Sequence, residues 1–131
     1  MEPKKQTLVM LLDDERLLLD LYVKGFTDAG YGTVAFTTAQ DAIAALRTGP
    51  APDVVLFDIH IPEMNGFEFI EAVKKEGLAP SALMIALTNE SKEEDTNRIT
   101  ELGADGHFVK SQLSPSDVVA AVEGLMQKKT A

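Results

Sequence analysis

Apolar runs alternate with amphipathic stretches five times along this chain, and that alternation restricts the fold more than any other feature. The first run, Leu8-Val9-Met10-Leu11-Leu12, is continuous, which is the pattern of a strand covered on both faces. A helix follows from Arg16 to Asp28, with Leu18, Leu21, Tyr22 and Phe26 at three- and four-residue spacing, and it ends near Gly30. Thr33 to Phe36 reads as a short strand. Thr37 and Thr38 can cap a second helix through Ala42, Ile43 and Leu46, closed by Gly49-Pro50. The third strand runs from Asp53 to Asp58, and a loop punctuated by Pro62 and Gly66 leads to a helix with Phe69, Ile70 and Val73 on one face. Gly77 ends that helix.

Leu83 to Leu87 make a fourth strand that stops at Thr88. The next helix, about Lys92 to Leu102, is mostly polar, with Ile99 and Leu102 as its anchors, so weak packing and mobility are expected of it. His107 to Lys110 is the fifth strand. Ser114-Pro115-Ser116-Asp117 then combines an N-cap, a proline at the first helical position and an acid in the first turn. Val118, Val119, Val122, Leu125 and Met126 form the core stripe of the last helix, and Gln127 to Ala131 reads as a frayed polar tail.

Strict alternation of strand and helix predicts an α/β fold: a five-stranded, doubly wound parallel sheet with helices on both faces. A closed eightfold barrel needs about 200 residues or more, and this chain has 131. The expected organisation is a single domain over residues 1–131, ordered from about 7 to 127.

Twelve Lys and Arg against 21 Asp and Glu leave a formal charge of −9, which repels phosphodiester backbones and anionic lipid. Nucleic-acid and membrane partners are therefore not expected. The absence of cysteine removes disulfides, thiolate metal sites and cysteine nucleophiles. The apolar run behind Lys4 and Lys5 is broken at Asp13 before it reaches signal-peptide length, so a cytoplasmic location is expected.

Open parallel sheets bind ligands beyond the carboxyl ends of their strands. Here those ends carry Asp13 and Asp14, then Asp58, Thr88 and Lys110. Each has an ordinary reading by itself, as a helix cap, a turn residue, a strand end or a solvated lysine. Their convergence on one rim from four strands points instead to a site. Three crowded carboxylates require a proton or a cation. Hard carboxylate, carbonyl and water oxygens favour Mg²⁺ or Ca²⁺ over zinc, and a small ion with few protein ligands suggests Mg²⁺ beside a phosphoryl group. Lys110 could neutralise phosphoryl oxygens, the Thr88 hydroxyl could donate to them, and a carboxylate could serve as nucleophile to give an aspartyl phosphate.

With these features the chain resembles the receiver domains of bacterial response regulators in two-component signalling. The resemblance rests on Asp13-Asp14, on Asp58 with Pro62, Met64 and Gly66 at the family's offsets, on Thr88, and on Gly103-Ala104 ahead of Lys110. It covers nearly the whole chain. It implies a flavodoxin-like fold with strand order 2-1-3-4-5, Asp58 as phosphoacceptor, and Mg²⁺ held by Asp14, Asp58 and the His60 backbone carbonyl, with Asp13 acting through water. Thr88 and Lys110 would hold the phosphoryl oxygens, and Thr88 and His107 would occupy the switch positions.

The implied partners are a sensor histidine kinase or histidine phosphotransfer protein, and a downstream target at the fourth helix, fifth strand and fifth helix. The resemblance implies a signalling domain, catalysing only its own phosphorylation and dephosphorylation. Three positions depart from the family pattern: Ser111 where proline is common, Asn89 where Ala or Gly is common, and His107, with Phe108 beside it, where Tyr or Phe is common. Because cis before a non-proline residue costs roughly 2.5–4 kcal/mol, the Lys110–Ser111 bond is expected to be trans.

The alternative is a pseudo-receiver that binds partners without phosphorylation. A small-molecule phosphatase would call for an inserted cap, and a flavodoxin-like electron carrier for a phosphate-cradling loop after the first strand; the sequence displays neither.

Overall fold

Strands β1 (Leu8–Leu12), β2 (Gly32–Phe36), β3 (Val54–Asp58), β4 (Leu83–Thr88) and β5 (Gly106–Val109) alternate with helices α1 (Arg16–Asp28), α2 (Ala39–Thr48), α3 (Gly66–Lys75), α4 (Glu93–Glu101) and α5 (Pro115–Thr130). The architecture comes from a computed structural model that describes residues 7–90 and 92–130. All strand pairs are parallel, in the order β2-β1-β3-β4-β5. The winding direction thus reverses between β1 and β3, which opens a crevice beyond their carboxyl ends.

Every residue of β3 and β4 is buried, as the continuous Val-Val-Leu-Phe and Leu-Met-Ile-Ala-Leu runs require. The edge strand β2 is only partly covered, which is why its composition is more mixed. On one face Phe57, Met84 and Ala86 pack with Ile43 of α2, Phe69 and Ile70 of α3 and Ile99 of α4. On the other, Leu11, Leu56 and Ile85 pack with Tyr22 and Phe26 of α1 and Val118 and Val122 of α5. A fully buried side chain of this size is worth roughly 1.5–3 kcal/mol, so both faces are needed to hold the sheet.

Several boundaries differ from the sequence reading. The buried face of α1 is Leu19, Tyr22 and Phe26, whereas Leu21 is 45% exposed. Stepping back from Phe26 by four and then three residues gives Tyr22 and Leu19; Leu21 falls off that stripe. Gln127 does not begin a frayed tail, because α5 continues through Thr130. Gln127 and Lys128 are good helix formers, and a cation suits a helix C-terminus. Residues 1–6 and 131 of the expected tails lie outside the described residues.

Lys110 is not the last residue of β5. It opens a 3-10 turn, Lys110–Gln112, that turns the chain at the sheet edge. Ser114 and Asp117 then cap α5 reciprocally: Asp117 N–H donates to Ser114 Oγ at 3.2 Å and Ser114 N–H to Asp117 Oδ2 at 3.1 Å. Among the described residues no helix is long and apolar enough to cross a membrane.

Candidate functional site

Asp13 follows directly from β1, where its backbone N–H still reaches the Phe36 carbonyl of β2 at 3.1 Å. Its Oδ1 accepts the Glu15 N–H at 2.9 Å, a local turn that starts α1. At the end of β3 the same device recurs, with Asp58 Oδ1 accepting the His60 N–H at 3.0 Å. Both aspartates are 1% exposed, while Asp14 between them is open to solvent. Carboxylate oxygens of Asp13, Asp14 and Asp58 lie within 4.8 Å of one another.

Lys110 enters this cluster from the end of β5. Its Nζ donates to Asp58 Oδ2 at 2.9 Å, lies 2.7 Å from Asp13 Oδ2 and is 3.8 Å from Glu15 Oε1. One ammonium therefore faces two buried carboxylates, with a third at the mouth. Burial pushes the Asp13 carboxyl up, against the opposing pull of Lys110 and the Glu15 N–H. Burial pulls Lys110 down, but the Asp13 and Asp58 carboxylates more than offset it and leave the ammonium raised.

The cluster fits a divalent cation. Asp13 Oδ2 is buried and, despite the nearby ammonium, has no partner with hydrogen-bond geometry. Lys110 supplies one positive charge where Asp13, Asp14 and Asp58 carry three carboxylates, and all the side-chain donors are hard oxygens, the set suited to Mg²⁺. Among the described residues no backbone N–H donates to the His60 carbonyl, leaving that oxygen available as a further ligand.

Gly66, at the start of α3, allows the loop after Asp58 to fold back. A Cβ there would stand 2.6 Å from Ile59 Cα and 2.7 Å from the Asp58 carbonyl oxygen. The α3 N-terminus is fixed by a capping box between Asn65 and Glu68.

Thr88 ends β4 beside Asp58, whose registered partner is Leu87, but its hydroxyl is turned to another acceptor. The Thr88 hydroxyl is buried and donates to the Glu90 carbonyl at 3.0 Å. His107 pairs in register with Ala86 on the edge strand. Asn89 lies with His60, Glu90 and Lys92 around a cleft of about 260 Å³. The described residues contain no cis peptide bond, so the Lys110–Ser111 bond is trans as expected. Ser111 Oγ donates to the Asn89 carbonyl at 3.4 Å, tying the 3-10 turn to the segment after β4.

Two contacts were not legible in the sequence. Glu15 occupies the N-cap of α1 without capping it, its carboxylate lying toward Lys110 instead. Asp95 of α4 approaches His60 Nε2 at 3.7 Å. Glu15 adjoins the acidic pair and could have been suspected; nothing in the sequence separates Asp95 from Glu93 and Glu94.

A family profile described as the response regulator receiver domain matches residues 9–123. Response regulator SaeR of Staphylococcus aureus (strain USA300) is 30% identical over 122 residues, 93% of this chain and 51% of that protein. The chain thus spans about half the length of the curated relatives it matches. Among solved structures, chemotaxis response regulator CheY4 of Vibrio cholerae has a TM-score of 0.85 at 25% identity, covering 92% of this chain and 99% of that one. A CheY-like receiver domain protein of Methanospirillum hungatei JF-1 shares the fold at a TM-score of 0.86 and 23% identity, covering 96% of this chain and 98% of that one.

Proposed function

The chain belongs to the response regulator receiver domain family, and on that premise we propose that it takes a phosphoryl group onto Asp58 from a phosphohistidine of a sensor kinase or histidine phosphotransfer protein, in a Mg²⁺-dependent reaction, and signals through a conformational switch. Family membership makes it a phosphorylation-dependent signalling module of a two-component system, not a conventional enzyme. The observation that carries the finer reading is Asp58 itself: a buried carboxylate at the end of a central strand, held by a backbone N–H on one oxygen and by Lys110 on the other.

A carboxylate oxygen of Asp58 attacks the phosphorus of the donor as the phosphorus–nitrogen bond breaks. The bonding pair leaves with the donor imidazole, and the product is a mixed anhydride, the aspartyl phosphate. Attack by water at phosphorus later returns the carboxylate and inorganic phosphate. The His60 N–H orients the Asp58 carboxylate before the reaction. Lys110, already 2.9 Å from Asp58 Oδ2, is placed to pass from that oxygen to a phosphoryl oxygen as charge develops there. Thr88 can do the same only by releasing the Glu90 carbonyl. Asp13, Asp14, Asp58 and the His60 carbonyl would hold Mg²⁺, which when bound supplies further positive charge opposite the phosphoryl oxygens.

Under this reading the downstream target docks at α4, β5 and α5. The acidic balance of the chain supports protein partners over nucleic acid or membrane, and the absence of cysteine suits a cytoplasmic setting.

Intact-mass measurement after incubation with Mg²⁺ and a small acyl-phosphate donor tests the proposal. One added phosphoryl group is expected on the parent protein and none on Asp58→Asn. An unmodified parent would favour the pseudo-receiver, and a label that persists in the variant would place the nucleophile elsewhere.

A further inference from the structure

His107, half-buried on β5, is a titratable group that neither the carboxylate cluster nor the proposed transfer uses. Its Nε2 is buried and has no hydrogen-bond partner among the described residues. The strand alternation explains why. Gly106 faces Leu125 of α5 and Phe108 packs on the α1–α5 side, so His107 points to the opposite face, where its registered neighbour Ala86 packs with Ile99 of α4. A ring that can acquire a charge thus lies on the α4 side of β5.

We propose that His107 makes the seating of α4 on β5 dependent on pH: the neutral imidazole lies beneath the helix, and the protonated ring moves out to solvent and loosens it. β4 offers only Ala86 in register with it. From α4 the charged group acting on the ring is Asp95, whose carboxylate lies 3.7 Å from His60 Nε2 of the β3–α3 loop. Neighbouring Arg98 is stacked on the Phe67 ring, 4.2 Å from its centroid. Glu90 and Lys92 line the cleft beside His60. Among the described residues no carboxylate pairs with His107 Nε2.

The sign follows from linkage. Burial lowers the His107 imidazole from its ordinary value of 6.5, and Asp95 only partly opposes it. A group lowered in the seated state contributes its full stabilisation above that ordinary value and loses it as pH falls toward the lowered one. In that window the ratio of loosened to seated helix rises by at most about tenfold per pH unit.

The test uses the unphosphorylated protein without metal, so its outcome is independent of Asp58 chemistry. Imidazole NMR gives the His107 midpoint, and amide exchange of Ile99 and Thr100, each compared with His107→Phe at the same pH, reports the seating of α4. Expected are a midpoint below 6.5, a fall in α4 protection relative to the variant over the same range, and a midpoint lowered further in Asp95→Asn. His60→Gln, which keeps the backbone of the loop, should leave the transition in place. An undisplaced His107 midpoint, α4 protection factors that still fall with pH in His107→Phe, or a transition that vanishes in His60→Gln would each overturn the proposal. Should His107→Phe fail to fold, the Asp95→Asn shift and its parallel shift in α4 exchange decide the matter.

Discussion

Asp13 shows at the scale of one residue what the site costs the fold. Its Oδ2 is buried without a hydrogen bond, and burial raises the carboxyl above its ordinary 3.8. A raised carboxyl binds its proton more readily folded than unfolded, so its favourable contribution is complete below the unfolded value and disappears as pH rises through the raised one. At neutral pH the charged Asp13 weighs against folding. Asp13→Asn should therefore raise stability in chelator at pH 7 by about 1 kcal/mol, and the melting temperature by roughly 3–6 °C for a domain of this length. The gap between variant and parent should close as the pH falls toward 4. A lower melting temperature at neutral pH would mean that the Lys110 ion pair outweighs burial. Asp58 and Lys110 were legible as residues at strand ends, but their 2.9 Å contact was not, because a separation of 52 positions is invisible to local pattern.

At the scale of the element, the loop from β3 into α3 determines whether Asp58 and the His60 carbonyl stand where a cation can reach both. Gly66 permits the close return, since a Cβ would press on the Ile59 and Asp58 backbones, neither of which is a flexible side chain able to yield. Gly66→Ala is expected to cost about 1–3 kcal/mol in urea unfolding and to weaken Mg²⁺ binding, read from amide shifts at Asp58 and His60. Unchanged binding in the variant would separate loop position from the metal site. The α5 cap can be tested independently. Ser114→Ala, which touches none of the three aspartates, removes the α5 N-cap bond and should cost about 0.5–2 kcal/mol without affecting Mg²⁺. The pattern at Ser114-Pro115-Ser116-Asp117 is local, so it was readable in advance. The 3-10 turn at Lys110 was not, since its residues have no periodicity of their own.

At the scale of the whole molecule, the cation and the phosphoryl group act on the same fold from one rim. Mg²⁺ at ten times its dissociation constant should raise stability by about 1.4 kcal/mol, and Asp14→Ala should abolish the increase in a thermal melt. Persistence of the full Mg²⁺ effect in that variant would place the ion outside the acidic cluster. A phosphoryl mimic should change hydrogen exchange in α4, β5 and α5, where Ile99 is the one buried residue of α4. Equal protection with and without the mimic would refute the switch. The α1–α5 side should respond less near Glu123, which is tied to Tyr31 by a 2.8 Å hydrogen bond.

The sequence by itself determined the elements, their alternation and the kinds of residue at the strand ends, because strand runs, helical stripes and caps are written in spacings of two to four residues. From these follow a parallel sheet and a carboxylate-rich rim. Tertiary structure alone decided that Leu19 rather than Leu21 faces the sheet, that Lys110 bridges Asp13 and Asp58, that the Thr88 hydroxyl is held by Glu90, and that Asp95 faces His60. Each of these depends on how one element rotates or docks against another. That choice is made by packing over the whole core, and no local stretch of sequence contains it.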